Sequence, residues 1–175
     1  MVVKGSRLLS AYRAATGFAE PLAARLLQRR LSRGKEDENR LPERLGRAGR
    51  VRPKGSVVWL HAASVGESIS VLPLIRELGR LLPGTSVLVT TGTVTSGRVM
   101  GERLPANAFH QFVPVDTPSA VRAFLEHWRP DLALWVESEL WPNMLYETKA
   151  RQIPVVLLNA RMSDSSYRGW RRAKT

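Results

Sequence analysis

Three carboxylates sit in short polar clusters that interrupt apolar runs: Glu67 in Ser64-Val65-Gly66-Glu67, and Glu137 and Glu139 in Glu137-Ser138-Glu139. Glu67 follows a glycine that would let a ligand approach the backbone, and its position fits a general base taking a proton from a hydroxyl. The same position fits a helix-capping glutamate, and both readings stay open. Glu137 and Glu139 close the apolar run Leu132-Ala133-Leu134-Trp135-Val136, and period-two alternation places them on one side. Two such carboxylates are costly without a cation, hydrogen-bond donors or a hydroxyl-rich ligand. A sugar would satisfy them. A helix start before Trp141-Pro142-Asn143 is the alternative, although two acids exceed what capping needs.

Thr90, Thr91, Thr93, Thr95 and Ser96 surround Gly92 with hydroxyls that could donate to a phosphate or a sugar, without the glycine-and-lysine pattern of a P-loop. His61 is either a ligand contact or a packed strand-end histidine. Arg161 could pair with a phosphate or with Glu139. No Gly-x-Gly-x-x-Gly follows the first strand, which disfavours nicotinamide and flavin. The chain has no cysteine, and its three histidines include no pair at helical ligand spacing, so no metal site is expected.

These residues need elements to position them. Apolar runs at 57–61, 87–91, 111–115, 132–136 and 155–158 read as strands, and the helical periodicities at 68–82, 96–104, 120–128 and 141–150 lie between them. Crossovers of this length imply parallel pairing with helices on both faces, a doubly wound α/β sheet. Pro73 predicts a kink in the first of those helices. Every polar cluster then falls at a strand's carboxyl end, the edge where open α/β sheets bind ligands. The returning connections, such as Leu82-Pro83-Gly84-Thr85, are plain by comparison.

The net charge of +12 is unevenly placed: residues 1–54 hold 14 Lys/Arg against 5 Asp/Glu, 55–167 hold 9 against 10, and the last eight add four bases. A neutral centre with basic ends fits a domain whose appendage meets an anionic surface. Apolar residues recur every three or four positions from Leu8 to Leu27, with Lys4, Arg7, Arg13, Arg25, Arg29 and Arg30 on the polar side and an interruption at Pro21. Such a helix lies in a membrane interface or packs on the domain, and the pattern fits both. The mixed charges after Arg33 predict a solvated loop, and 46–55 a linker. No run reaches membrane-spanning length. The bases lack a readout motif or an aromatic platform, which argues against a nucleic-acid partner.

Trp59-Leu60-His61-Ala62-Ala63-Ser64-Val65-Gly66-Glu67, Thr90-Thr91-Gly92-Thr93, Pro114-Val115-Asp116, Val136-Glu137-Ser138-Glu139-Leu140-Trp141-Pro142-Asn143 and Asn159-Ala160-Arg161 together resemble the N-terminal domain of the 3-deoxy-D-manno-octulosonic acid (Kdo) transferases, as does Arg33-Gly34-Lys35-Glu36. The resemblance implies a Rossmann-like domain over 56–175, forming the N-terminal half of a glycosyltransferase B fold. An amphipathic membrane-proximal helix (1–32) and a charged linker (33–55) would precede it. It implies inverting, metal-independent and cofactor-free transfer of Kdo from CMP-Kdo to the lipid A precursor, at the cytoplasmic face of the bacterial inner membrane. Glu67 matches the family's catalytic base, and Glu137 and Glu139 its second acidic motif. His61, Ser64, Gly66, Thr91, Gly92, Thr93, Asp116, Asn143, Asn159 and Arg161 match the substrate-binding clusters. A C-terminal domain would bind CMP-Kdo. The chain stops before one, so it is expected to be inactive alone, as a fragment or as half of a split enzyme completed by a separate chain. A non-catalytic acceptor- or membrane-binding role is the alternative.

Overall fold

The computed structural model describes residues 7–137 and 140–160. Two helices open the chain, α1 (Arg7–Phe18) and α2 (Glu20–Leu31), and a 3-10 turn, η1 (Glu38–Leu45), follows. The sheet elements then alternate: β1 (Val57–His61), α3 (Val65–Ser70), α4 (Leu72–Leu81), β2 (Ser86–Thr91), α5 (Val94–Arg103), β3 (Ala108–Phe112), α6 (Pro118–Trp128), β4 (Leu132–Val136), α7 (Pro142–Ala150) and β5 (Val155–Leu158). All five strands pair in parallel in the order β3-β2-β1-β4-β5. The expected α/β parallel architecture is present and is consistent with a Rossmann-like fold.

Alternation along each strand builds two cores. Val57, Trp59, Leu88, Phe109, Ala133 and Trp135 face α6 and α7, which contribute Val121, Phe124, Leu125, Trp128 and Met144. Val58, Leu60, Val87, Val89 and Leu134 face α4 and α5, where Leu72, Ile75 and Met100 pack. The first core is stiffened by aromatics: Trp59 lies 5.0 Å from Phe124 and 5.6 Å from Trp135 between ring centroids, at tilted and edge-on angles favoured by ring quadrupoles.

Three expectations are corrected. The third strand runs over Ala108–Phe112, not 111–115. Pro114 has no N–H, and the Val115 N–H bonds to the Arg44 carbonyl at 2.8 Å, so the chain leaves the sheet after Val113. The helix with a predicted kink is two helices that break at Val71, with Pro73 in the first turn of α4, where its missing N–H costs no helical bond. The charged stretch after Arg33, expected as a solvated loop, is packed down at two points: Glu36 and Glu43 are each 7% exposed. Asp37 caps η1, and Gly46 closes it in the left-handed region at φ 80°.

The α1–α2 pair docks through side chains. The Tyr12 hydroxyl donates to Asp116 at 3.0 Å, Arg13 pairs with Glu147 at 2.7 Å, and Arg30 pairs with Glu36 at 2.6 Å. Leu8, Phe18, Leu22 and Leu26 remain exposed on the outside. No helix among the described residues is long and apolar enough to cross a membrane.

Candidate functional site

The chain leaves β1 for β2 and β3 on one side of the sheet and crosses to β4 and β5 on the other. The reversal falls between β1 and β4, and the carboxyl ends at such a switch point are where open α/β sheets take ligands. Glu67 follows β1 and Glu137 follows β4, so both carboxylates lie on segments that leave the sheet at this switch point.

Glu67 sits in the first turn of α3. Its carboxylate accepts from the Ala63 N–H at 2.9 Å and from the Ser64 hydroxyl at 2.8 Å, while Ser64 Oγ accepts from the Glu67 N–H at 3.2 Å. The capping geometry is therefore present. Each carboxylate oxygen has one recorded donor and so retains acceptor capacity, and the residue is half-buried at the rim of the site. A methyl group built on Gly66 would meet only Ser64 Oγ, at 4.0 Å. The protein's own packing thus leaves room at Gly66.

Glu137 has φ 60°, and its N–H bonds to the Leu158 carbonyl at 2.9 Å. Strand alternation ends at Val136, so the same-side argument does not carry through Glu137. A left-handed glutamate stores backbone strain, which places this carboxylate by main-chain geometry. Glu139 and Arg161 lie outside the described residues. Asn159, at φ 51°, is exposed at the end of β5.

Several residues expected to face ligand are occupied within the protein. Asp116 accepts from the backbone N–H of Asn143 at 3.1 Å and of Met144 at 3.0 Å, which caps α7, and from Tyr12. The interaction holds the Tyr12 hydroxyl up at about 12, through burial first and then the Asp116 charge and hydrogen bond. Asn143 is fully buried, and its Nδ2 donates to the Asp116 carbonyl at 2.6 Å and to Thr16 at 3.0 Å. Thr91 is buried and bonds His110 Nε2 at 2.9 Å. Thr93 is the N-cap of α5 in a reciprocal capping box with Ser96.

His61 is 1% exposed at the end of β1. Its Nδ1 lies 3.0 Å from Thr90 Oγ1, which also accepts from Trp59 Nε1–H at 2.8 Å. Burial pushes the ring down to about 4, with smaller opposing influences from Thr90 and the Glu67 charge. The ring is neutral at pH 7.

A cavity of about 350 Å³ opens beside it, between α2 and the carboxyl ends of β1, β2 and β3. Ala23, Leu26, Leu27, Val113, Val115 and Trp141 give it apolar walls, and Ala63 and Gly92 form its sheet side. Its polar groups are His61, Arg30 and Arg44. Both guanidiniums lean on the single carboxylate of Glu36, at 2.6 Å from Arg30 and 3.4 Å from Arg44. Arg44 also donates to the Val113 carbonyl. Burial lowers the Arg44 affinity for its proton, Glu36 opposes that, and the Arg30 charge adds to it. The sequence reading missed both arginines as site residues. Their partners lie far away in the chain, and the only local sign was the Asp37 and Gly46 caps around a short apolar-polar turn. Among the described residues no group of three or more His, Asp or Glu is gathered to hold a metal ion.

The five-stranded all-parallel α/β sheet is consistent with the Rossmann-like class, whose sheets take ligands at the carboxyl edge that these clusters occupy. The family description 3-Deoxy-D-manno-octulosonic-acid transferase (kdotransferase) matches residues 39–175. A probable mitochondrial 3-deoxy-D-manno-octulosonic acid transferase of Arabidopsis thaliana is 42% identical over 159 residues, covering 91% of this chain and 36% of that protein. The 3-deoxy-D-manno-octulosonic acid transferases of Rickettsia bellii (40%; 83% of this chain, 34% of that protein) and Haemophilus influenzae (38%; 73% and 30%) are similar to it as well. The chain belongs to the Kdo transferase family, a family of glycosyltransferases. It spans about a third of the length of these curated relatives.

Proposed function

We propose that this domain forms the acceptor side of an inverting, metal-independent glycosyltransferase B enzyme that moves Kdo from CMP-Kdo to the lipid A precursor during lipopolysaccharide synthesis. Glu67 is the general base, which deprotonates the attacking acceptor hydroxyl. Glu137 and Glu139 organise the acceptor and tolerate the positive charge that develops on the transferred sugar. The observation that carries the reading is the Glu67 carboxylate, held by Ala63 and Ser64 after the first strand with acceptor capacity left for a hydroxyl. The exposed Leu8, Phe18, Leu22 and Leu26, with Arg25 and Arg29 on the same helices, support contact of α1 and α2 with an anionic inner-membrane surface on its cytoplasmic side. CMP-Kdo would be held mainly by a second domain.

Glu67→Gln separates base from cap, because glutamine also serves at this capping position. The measurement is Kdo transfer to tetraacylated lipid A precursor by this domain joined to a donor-binding domain. The expected result is a fall in kcat of about 10²-fold or more, with the urea midpoint and acceptor binding nearly unchanged. A variant that keeps the full rate refutes the base.

A further inference from the structure

We propose that His61 is a positioning residue for the acceptor: its Nε2–H is a neutral hydrogen-bond donor that holds a phosphate oxygen of the acceptor in the cavity between α2 and the carboxyl ends of β1, β2 and β3. The proposal rests on the acceptor reading above and adds a ligand atom and a donor to it.

The proton position follows from the partners of His61. Trp59 Nε1 can only donate, so its 2.8 Å contact uses Thr90 Oγ1 as an acceptor. The Thr90 hydroxyl hydrogen then has one recorded acceptor, His61 Nδ1 at 3.0 Å. The opposite tautomer would leave that buried hydrogen without a partner. Nδ1 therefore accepts, and Nε2 carries the proton. This Nε2 is buried and has no hydrogen-bond partner among the described residues. A buried donor left unpaired is costly, and proteins keep few of them. Here the ring lines the cavity, so an occupant can take up the bond.

The other walls select the occupant. Arg30 and Arg44 share the one Glu36 carboxylate, so the cavity has a surplus of positive charge within reach of the His61 edge. An anionic oxygen accepts from the Nε2–H and also offsets the guanidinium charge, whereas a neutral hydroxyl can accept these bonds but leaves the charge uncompensated. Ala23, Leu26 and Leu27 on α2 offer the rest of the ligand an apolar surface, which suits a phosphate attached to an acylated sugar better than a free nucleotide. Ala63 lines the cavity and donates its N–H to the Glu67 carboxylate at 2.9 Å, so a phosphate anchored here sits near the carboxylate that would receive the hydroxyl proton.

The test uses the whole chain, with tetraacylated, bis-phosphorylated lipid A precursor, its dephosphorylated analogue and inorganic phosphate as probes. Ring ¹⁵N NMR is expected to show His61 as the Nε2–H tautomer, with the Nε2 signal moving on addition of the phosphorylated precursor. His61→Leu is expected to bind the precursor about tenfold more weakly. His61→Gln, which retains an N–H near Nε2, should recover to within about threefold. Removing the phosphates should weaken both proteins, and His61→Leu by about tenfold less than wild type, since the variant has already lost the Nε2 bond while the arginine contacts remain. Equal precursor binding by wild type and a folded His61→Leu overturns this proposal and leaves the acceptor reading standing. No binding by wild type overturns both. If His61→Leu does not fold, an Nε2 signal unmoved by saturating precursor overturns the proposal. A signal moved equally by inorganic phosphate assigns the site to free phosphate and overturns the acceptor assignment.

Discussion

Lowering the pH from 7 to 5 should destabilise this domain through two histidines that fold only as neutral rings. His61 is held down at about 4 by burial, and His110 at about 3 by burial and then by the Arg40 charge. Arg40 Nη2 lies 2.9 Å from His110 Nδ1 and can only donate, so that nitrogen must stay unprotonated. In the unfolded chain both rings titrate at about 6.5. The folded values are depressed, so the unfolded state binds more protons throughout the interval below 6.5. The stabilisation is complete above that value and is lost as pH falls toward 4. Between pH 7 and pH 5 the difference in proton uptake amounts to about 1.8 kcal/mol per histidine, or about 3.6 kcal/mol for the pair. Urea unfolding followed by tryptophan fluorescence at pH 5, 6 and 7 measures it directly, because Trp59, Trp128 and Trp135 are all buried. The doubly substituted His61→Gln/His110→Gln protein is the control. It is expected to be less stable at pH 7 but to lose most of the pH slope. Equal wild-type stability at pH 5 and pH 7, or a slope that survives in the double variant, would refute the assignment of neutral buried rings.

Other changes test the packing around the site. Gly46→Ala should cost about 3 kcal/mol or more, since φ is 80° and the new methyl would lie 2.0 Å from the Ala120 carbonyl oxygen; Gly34→Ala, at φ 66° with open space around it, should cost only about 1 kcal/mol in the same denaturation assay. Glu43→Ala removes the carboxylate that takes two bonds from Arg40 and one, at 2.7 Å, from the Phe112 N–H; a loss of about 3–5 kcal/mol is expected, with faster hydrogen exchange at the Phe112 amide. Tyr12→Phe deletes one bond to a carboxylate and should cost about 1.5 kcal/mol; a double-mutant cycle with Asp116→Ala should return a coupling of similar size.

The parts of the fold that rest on local periodicity were legible in the sequence. The strands over Val57–His61, Leu132–Val136 and Val155–Leu158 fall where apolar runs predict them. The third strand is displaced from its expected position because the apolar residues Phe112, Val113 and Val115 cluster beyond its true end, and the stop at Pro114 is held by a partner, Arg44, some seventy residues earlier. Burial of Glu36 and Glu43 is hidden for a related reason: it depends on Arg30 of α2 reaching Glu36 and on the Phe112 N–H of β3 reaching Glu43, contacts that the charge pattern does not announce. Residue type alone also overcounted ligand contacts. Asp116, Asn143 and Thr91 look like ligand groups at strand ends, yet their hydrogen-bonding capacity is largely spent on Tyr12, α7 and His110.

The docking of α1 has a consequence for how the chain matures. Its polar anchors span 104 residues from Tyr12 to Asp116 and 134 from Arg13 to Glu147. During synthesis α1 is made before every element it packs against, and it stays unanchored until α7 has emerged from the ribosome and the sheet has closed beneath it. Through that interval Leu8 and Phe18 are displayed on a segment with no core to join. A chaperone or lipid surface meeting the nascent chain in that interval therefore encounters this helix unanchored, and the order of assembly sets a time window in which capture competes with folding.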